Sequence, residues 1–105
     1  MHVVIRQYQV APDAVEVVTR RIRAGFAPYI SAVMPGFVEY SWIDAGDGVL
    51  ISISIFAEET SARASSQVAA AYIREHLARE LPHAPVVQTG EVLVRVVGTA
   101  GQDGA

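Results

Sequence analysis

Cysteine is absent from these 105 residues, which removes disulfides, thiolate metal sites, iron–sulfur clusters and a cysteine nucleophile together. A basic block is missing too. The eight arginines are scattered, and a net charge of −3 with a pI near 5.5 gives no electrostatic footprint for nucleic acid, which is therefore not expected as a partner. No stretch nears the roughly 18 apolar residues of a membrane span. Met1-His2-Val3-Val4-Ile5-Arg6-Gln7-Tyr8 also lacks the basic region and apolar run of a signal peptide. A cytoplasmic protein without a membrane partner is the expectation.

What is present is apolar: 51% of the residues are hydrophobic, 18% are charged, and the mean hydropathy is +0.31. A chain this short holds one core and has much surface per volume, so part of its apolar surface is expected to meet another subunit.

His2 to Val10 reads as a first strand, stopped by Ala11-Pro12-Asp13. A helix follows, with apolar Val15, Val18, Ile22, Phe26, Ile30 and Val33 on one side, and Pro28 is expected to kink or split it. Pro35-Gly36 ends that helix. Phe37 to Asp44 and Val49 to Phe56 are strand-like runs around Ala45-Gly46-Asp47-Gly48, which suits a hairpin loop rather than a phosphate cradle because no helix starts there. Glu58-Glu59-Thr60-Ser61 opens an alanine-rich helix over Ala62 to Leu81. Glu91 to Val97 reads as the last strand. The domain thus covers 1–97, followed by a flexible Gly/Ala/Gln/Asp tail over 98–105.

The order β-α-β-β-α-β predicts an α+β, ferredoxin-like fold: a four-stranded antiparallel sheet with two helices on one face. Side chains alternate along strands, so two sets must be assigned. If the hairpin pairs Asp44 with Val49, then Val3, Ile5, Ile51, Ile53, Ile55, Val92, Val94, Val96, Val38, Tyr40 and Trp42 lie under the helices. The uncovered face then carries Val4, Arg6, Tyr8, Phe37, Glu39, Ile43, Leu50, Phe56, Leu93 and Arg95. A second copy stacked on that face would bury it and pair Arg6 or Arg95 with Glu39 or Glu91, so a homodimer through the open sheet face is expected. A register slip by one residue would reverse both sets.

The whole pattern resembles the antibiotic biosynthesis monooxygenase-like family of dimeric α+β barrels. The likeness rests on Val3-Val4-Ile5-Arg6, Met34-Pro35-Gly36-Phe37, Ile53-Ser54-Ile55-Phe56 and Glu58-Glu59-Thr60-Ser61-Ala62, which mark the fold rather than a reaction. The resemblance implies a cavity between helices and sheet for a flat aromatic or polyketide-like molecule, oxygenated in some relatives without a cofactor. Other relatives bind or degrade haem.

Four residues are the candidates for that site. Tyr40 and Trp42 would form aromatic walls, while Tyr72 and His76, four apart on one helical face, could hold a substrate hydroxyl and accept its proton. The bland alternative is that Tyr72 and His76 sit half-buried at a rim and Trp42 is core. His2 and His83 suggest no role. His76 has no histidine partner at helical spacing, so no metal site is expected, and no Ser-His-Asp order or glycine elbow supports a serine nucleophile.

Haem-degrading relatives combine an asparagine, a tryptophan and a histidine. This chain has no asparagine, and Trp42 stands well before the second helix, which leaves His76 alone as an axial ligand. The expected function is cofactor-independent monooxygenation of a small aromatic or quinol-like substrate. The alternatives are a non-catalytic small-molecule-binding dimer and, behind it, a haem-binding module.

Overall fold

The computed structural model describes residues 1–99, so the expected tail of 98–105 lies almost wholly outside the described residues. Strand β1 (His2–Gln9) leads through a 3-10 turn (Pro12–Ala14) into α1 (Val15–Arg21), a π-helical turn (Ile22–Phe26) and α2 (Ala27–Val33). Then come β2 (Phe37–Gly46), β3 (Val49–Phe56), α3 (Glu59–His76) and β4 (Val86–Glu91). The strands form one antiparallel sheet in the order β2-β3-β1-β4, the ferredoxin-like arrangement that the order of elements predicts.

The expected break at Pro28 is realised one turn earlier. Proline crowds the carbonyl four residues back, and the π turn relieves this by letting the Ala27 N–H donate to the Ile22 carbonyl instead. The extra residue also corrects the helix face. Val18, Ile22, Phe26, Ile30 and Met34 recur every four residues, a spacing that drifts around a straight α-helix but stays on one side when a π turn intervenes, and all five are buried. Val33, expected on that stripe, is exposed, and Met34 takes its place.

The hairpin corrects the assignment of faces. Asp47 and Gly48 form its two-residue turn, with φ of 56° and 81°, and Gly46 at φ 92° forms a bulge, so that Gly46 pairs with Val49 and Asp44 with Leu50. This is the one-residue slip that moves β3 and β1 to their other side. Val4, Arg6, Tyr8, Leu50, Ser52, Ser54 and Phe56 are buried under the helices, whereas Val3, Ile5, Ile51, Ile53 and Ile55 turn to the open face and are only partly covered. A second bulge at Val38 pairs Phe37 with Phe56 and brings Phe37 to the helix side as well. Tyr40 and Trp42 lie under the helices as expected, and Glu39 and Ile43 face outward as expected.

The last strand is a further correction: it spans Val86–Glu91, not Glu91 to Val97. β1 offers partners only as far as His2, opposite Glu91, and the Val92 N–H reaches the Met1 carbonyl at 2.9 Å. Beyond this, among the described residues, no strand lies beside the alternating run. Leu93, Val94 and Val96 are more than 80% exposed instead of lying over or under the sheet. α3 also ends at His76, short of Leu81, although Leu77 and Leu81 still enter the core. Among the described residues no helix is long and apolar enough to cross a membrane.

Gly48 is the tightest point of the hairpin. It has positive φ, its carbonyl accepts the Val10 N–H at 2.8 Å, and a Cβ there would lie 2.0 Å from the Val10 carbonyl oxygen. Gly48→Ala is expected to cost about 2 kcal/mol or more in urea unfolding, from both backbone strain and the clash. Gly46→Ala meets no atom within 4 Å and should cost less.

Candidate functional site

α3 presents small residues, Ala62, Ser65 and Ala69, to the sheet, so the helix lies close over β1. Under it Arg6 extends from β1 and donates from Nη2 to the hydroxyls of Ser65 at 3.3 Å and Ser66 at 3.2 Å. Arg6 is 3% exposed, and its Nη1 is buried with no hydrogen-bond partner. Burial pulls the guanidinium pKa below its ordinary value.

Beside this group a cleft of about 450 Å³ runs between α3, strands β1 and β4 and the segment that follows α3. Its walls are mostly apolar, including Ala69, Ala70, Ile73, Leu81, Pro82 and Val87, with Arg6 and Tyr8 on the sheet side and Arg74 and His83 also lining it. The segment carrying His83 is held in place from two directions. Leu77 and Leu81 anchor it in the core, and Arg21 on α1 pairs with Glu80 and donates to the His76 carbonyl at 2.9 Å. That last bond also puts a cation at the negative end of α3.

The four residues expected from the sequence divide into two pairs. Trp42 donates from Nε1 to the Thr19 hydroxyl at 3.1 Å and packs on Tyr8 with ring centroids 5.8 Å apart. Tyr72 and His76 do stack, with centroids 4.5 Å apart, and Phe26 lies between them and the sheet, touching Tyr40 at 5.6 Å and Tyr72 at 5.3 Å. Tyr72 reaches this place over Gly25 in the π turn, where a Cβ would come within 2.3 Å of its hydroxyl oxygen. Tyr72 and His76 line a shallow groove with Tyr29, Gln67 and Glu75, on the flank of α3 opposite the cleft. As a candidate axial ligand for haem, His76 stands half-exposed in that groove, 3.7 Å from the Glu75 carboxylate.

The sequence reading missed Arg6 because it placed that residue on the open face. One signal was available: Ser65-Ser66 is a pair of adjacent hydroxyls in an alanine-rich helix, able to accept from a buried donor. Among the described residues there is no cluster of three or more side chains able to hold a metal ion.

Burial pushes the Tyr8 phenol up to about 12, against the pull of Arg6, and raises Tyr40 further, with Tyr8 adding to the effect. Both phenols therefore hold their protons more tightly in the folded chain than in the unfolded one. Stability is unaffected below pH 10 and falls as pH rises from the ordinary tyrosine value toward the folded one, by up to about 1.4 kcal/mol per pH unit for each tyrosine. Tyr8→Phe is expected to flatten this decline, and urea unfolding at a series of alkaline pH values measures it.

No family model matches the chain, and no curated protein matches it in sequence. Solved structures do match. A monooxygenase from the gene ActVA-Orf6 of Streptomyces coelicolor, in complex with nanaomycin D, superposes with a TM-score of 0.72 at 17% identity, over 92% of this chain and 91% of that one. The heme-degrader MhuD of Mycobacterium tuberculosis, with two hemes bound in its active site, gives 0.68 at 20% identity, over 92% of this chain and 100% of that one. A Caulobacter crescentus protein assigned as an antibiotic biosynthesis monooxygenase gives 0.64 at 16% identity, over 89% and 90%.

Proposed function

We propose, from the premise that this chain has the fold of the antibiotic biosynthesis monooxygenase-like proteins, that it oxygenates a small aromatic, quinol-like or polyketide-like substrate without a cofactor. The observation that carries this reading is the cleft beside α3. Its alanine and leucine walls suit a flat ring, and Arg6, Tyr8 and His83 are lining residues that could meet a ring hydroxyl. In this reading the substrate hydroxyl gives its proton to a base, and the resulting anion passes an electron to O2. Recombination forms a hydroperoxide, which loses water to leave a quinone, so a phenol and O2 become a quinone and water.

For a substrate in the cleft the base is His83. For one in the outer groove the base is His76, with Tyr72 as its hydrogen-bond partner and Tyr40 and Trp42 as the aromatic layer behind. An imidazole is a side chain able to take that proton in either place. Oxygen uptake with a panel of dihydroxynaphthalenes tests the assignment. Ala70→Trp, which fills the cleft from the exposed side of α3, should lower the rate about tenfold or more by misplacing the substrate. A rate lost in His76→Ala and kept in Ala70→Trp would move the reaction to the groove. Retention of an aromatic ligand with no oxygen uptake at all would favour the binding-only alternative.

The same proposal includes a homodimer formed by stacking two open sheet faces. Ile5, Ile43, Ile51, Ile53 and Ile55 share that face, and the extended 92–97 run leaves Leu93 and its valine neighbours uncovered beside it. Such a surface is self-complementary across a two-fold axis, and its aliphatics suit burial better than water. Light scattering at micromolar concentration should give the mass of two chains for the parent and of one chain for Ile53→Lys. A parent that runs as a single chain would overturn the dimer.

A further inference from the structure

Arg6 is a cation without a counter-ion. Among the described residues no acidic side chain pairs with it, and its Nη2 is satisfied by two neutral hydroxyls while Nη1 has nothing. Hydroxyl dipoles do not compensate a buried full charge, so such a group is costly until an anion meets it.

The surroundings add to the imbalance. Tyr8 on β1 and Tyr40 on β2 face Arg6 but are held neutral by burial. The charged or titratable groups contributed to the cleft by α3 and by the segment after it are Arg74 and His83, both basic, and the lining contains no carboxylate. Two arginines and no carboxylate thus line one cleft in a chain of net charge −3. The imbalance belongs to the cleft and not to the composition.

We infer that Arg6 is an oxyanion receptor, and that the cleft takes its aromatic ligand as the deprotonated aryl oxyanion, one oxygen at Nη1 and the ring along Ala69, Ile73 and Leu81. This rests on the cleft being the substrate site and names the form of substrate it accepts. Because Nη2 is engaged by Ser65 and Ser66, the guanidinium cannot present its two Nη atoms as a free two-pronged fork, which fits a phenolate better than a group needing two-point recognition. A fixed cation beside the oxygen lowers the ligand's own pKa. The hydroxyl proton passes to His83, the base assigned to this cleft, and the electron-rich anion remains beside Arg6.

4-Nitrophenol, whose anion is yellow, is the probe. Bound to the full chain at saturation, it should titrate about one unit or more below its free value, and Arg6→Met should lose that shift and bind the anion about tenfold more weakly. Arg6→Lys, which keeps the charge, should retain most of the shift, and circular dichroism confirms that each variant folds. Should Arg6→Met not fold, Arg6→Gln takes its place with the same expected loss. Titration of the bound probe at its free value, survival of the shift in the uncharged variant, or no saturable binding of the anion would each overturn the inference. The shift without oxygen uptake on dihydroxynaphthalenes leaves the receptor standing and removes the oxygenase. Uptake without the shift does the reverse.

Discussion

Three consecutive residues at positive φ, Gly46, Asp47 and Gly48, determine how β2 lies against β3, and the remaining strands inherit the result. The Asp44 carboxylate accepts the Gly46 N–H at 2.9 Å, which holds the bulge in place, and Asp44 then faces Leu50 instead of Val49. From β3 the register passes to β1 through Leu50–Tyr8, Ser52–Arg6 and Ser54–Val4. Arg6 therefore points beneath α3 because of backbone geometry at the far end of a hairpin. One residue more or less in that turn would present it to the open face and carry the isoleucines of β3 under the helices.

The register has an energetic cost that the core must offset. Burying Arg6, Ser52 and Ser54 under the helices puts polar atoms where aliphatics would pack, and the Ser54 hydroxyl has no partner, a loss of about 1–3 kcal/mol. Val4, Leu50, Phe56, Val18, Ile22 and Ile30 are fully or nearly fully buried around them, each worth about 1.5–3 kcal/mol. Meanwhile Ile51, Ile53 and Ile55 are turned outward and only partly covered. A lone chain with its polar residues inward and its isoleucines outward leaves an unpartnered cation on the helix side and an aliphatic face on the other, which the proposed ligand and the proposed second copy would meet.

The order of elements, both strands of the hairpin and the break at Pro28 were legible because each depends on local signals: β-branched runs, glycine-bearing turns and a proline in a helical pattern. Which face each strand presents was not. Alternation fixes the two sets but leaves open which one the helices cover, and the deciding bulge at Gly46 is one residue long. The last strand was misplaced for a related reason. Val92 to Val97 has the stronger alternating pattern, yet pairing requires a neighbour, and β1 ends opposite Glu91, so the plainer Val86–Glu91 becomes the strand. Tyr40, Trp42, Tyr72 and His76 are legible as rings facing the helix side, but their division by Phe26 depends on the π turn, whose trace in the sequence is only the four-residue spacing from Val18 to Met34.

The two flanks of α3 differ in how side chains fill the space beside them. On one flank Tyr72 stacks against Phe26 and Tyr29, and large rings fill the space between helices. On the other, Ala69 and Ala70 leave room, and the segment carrying Leu81, Pro82 and His83 roofs that room without filling it. Aromatic side chains in a small domain contribute buried area first, so a cluster of them marks where the interior is solid. Space for a ligand arises where side chains are small and the backbone behind them is held in place, here by Leu77, Leu81 and the Arg21–Glu80 pair. A charged group in the lining of that space, with one nitrogen lacking a partner, is what the proposed ligand would answer, and in this chain it is Arg6.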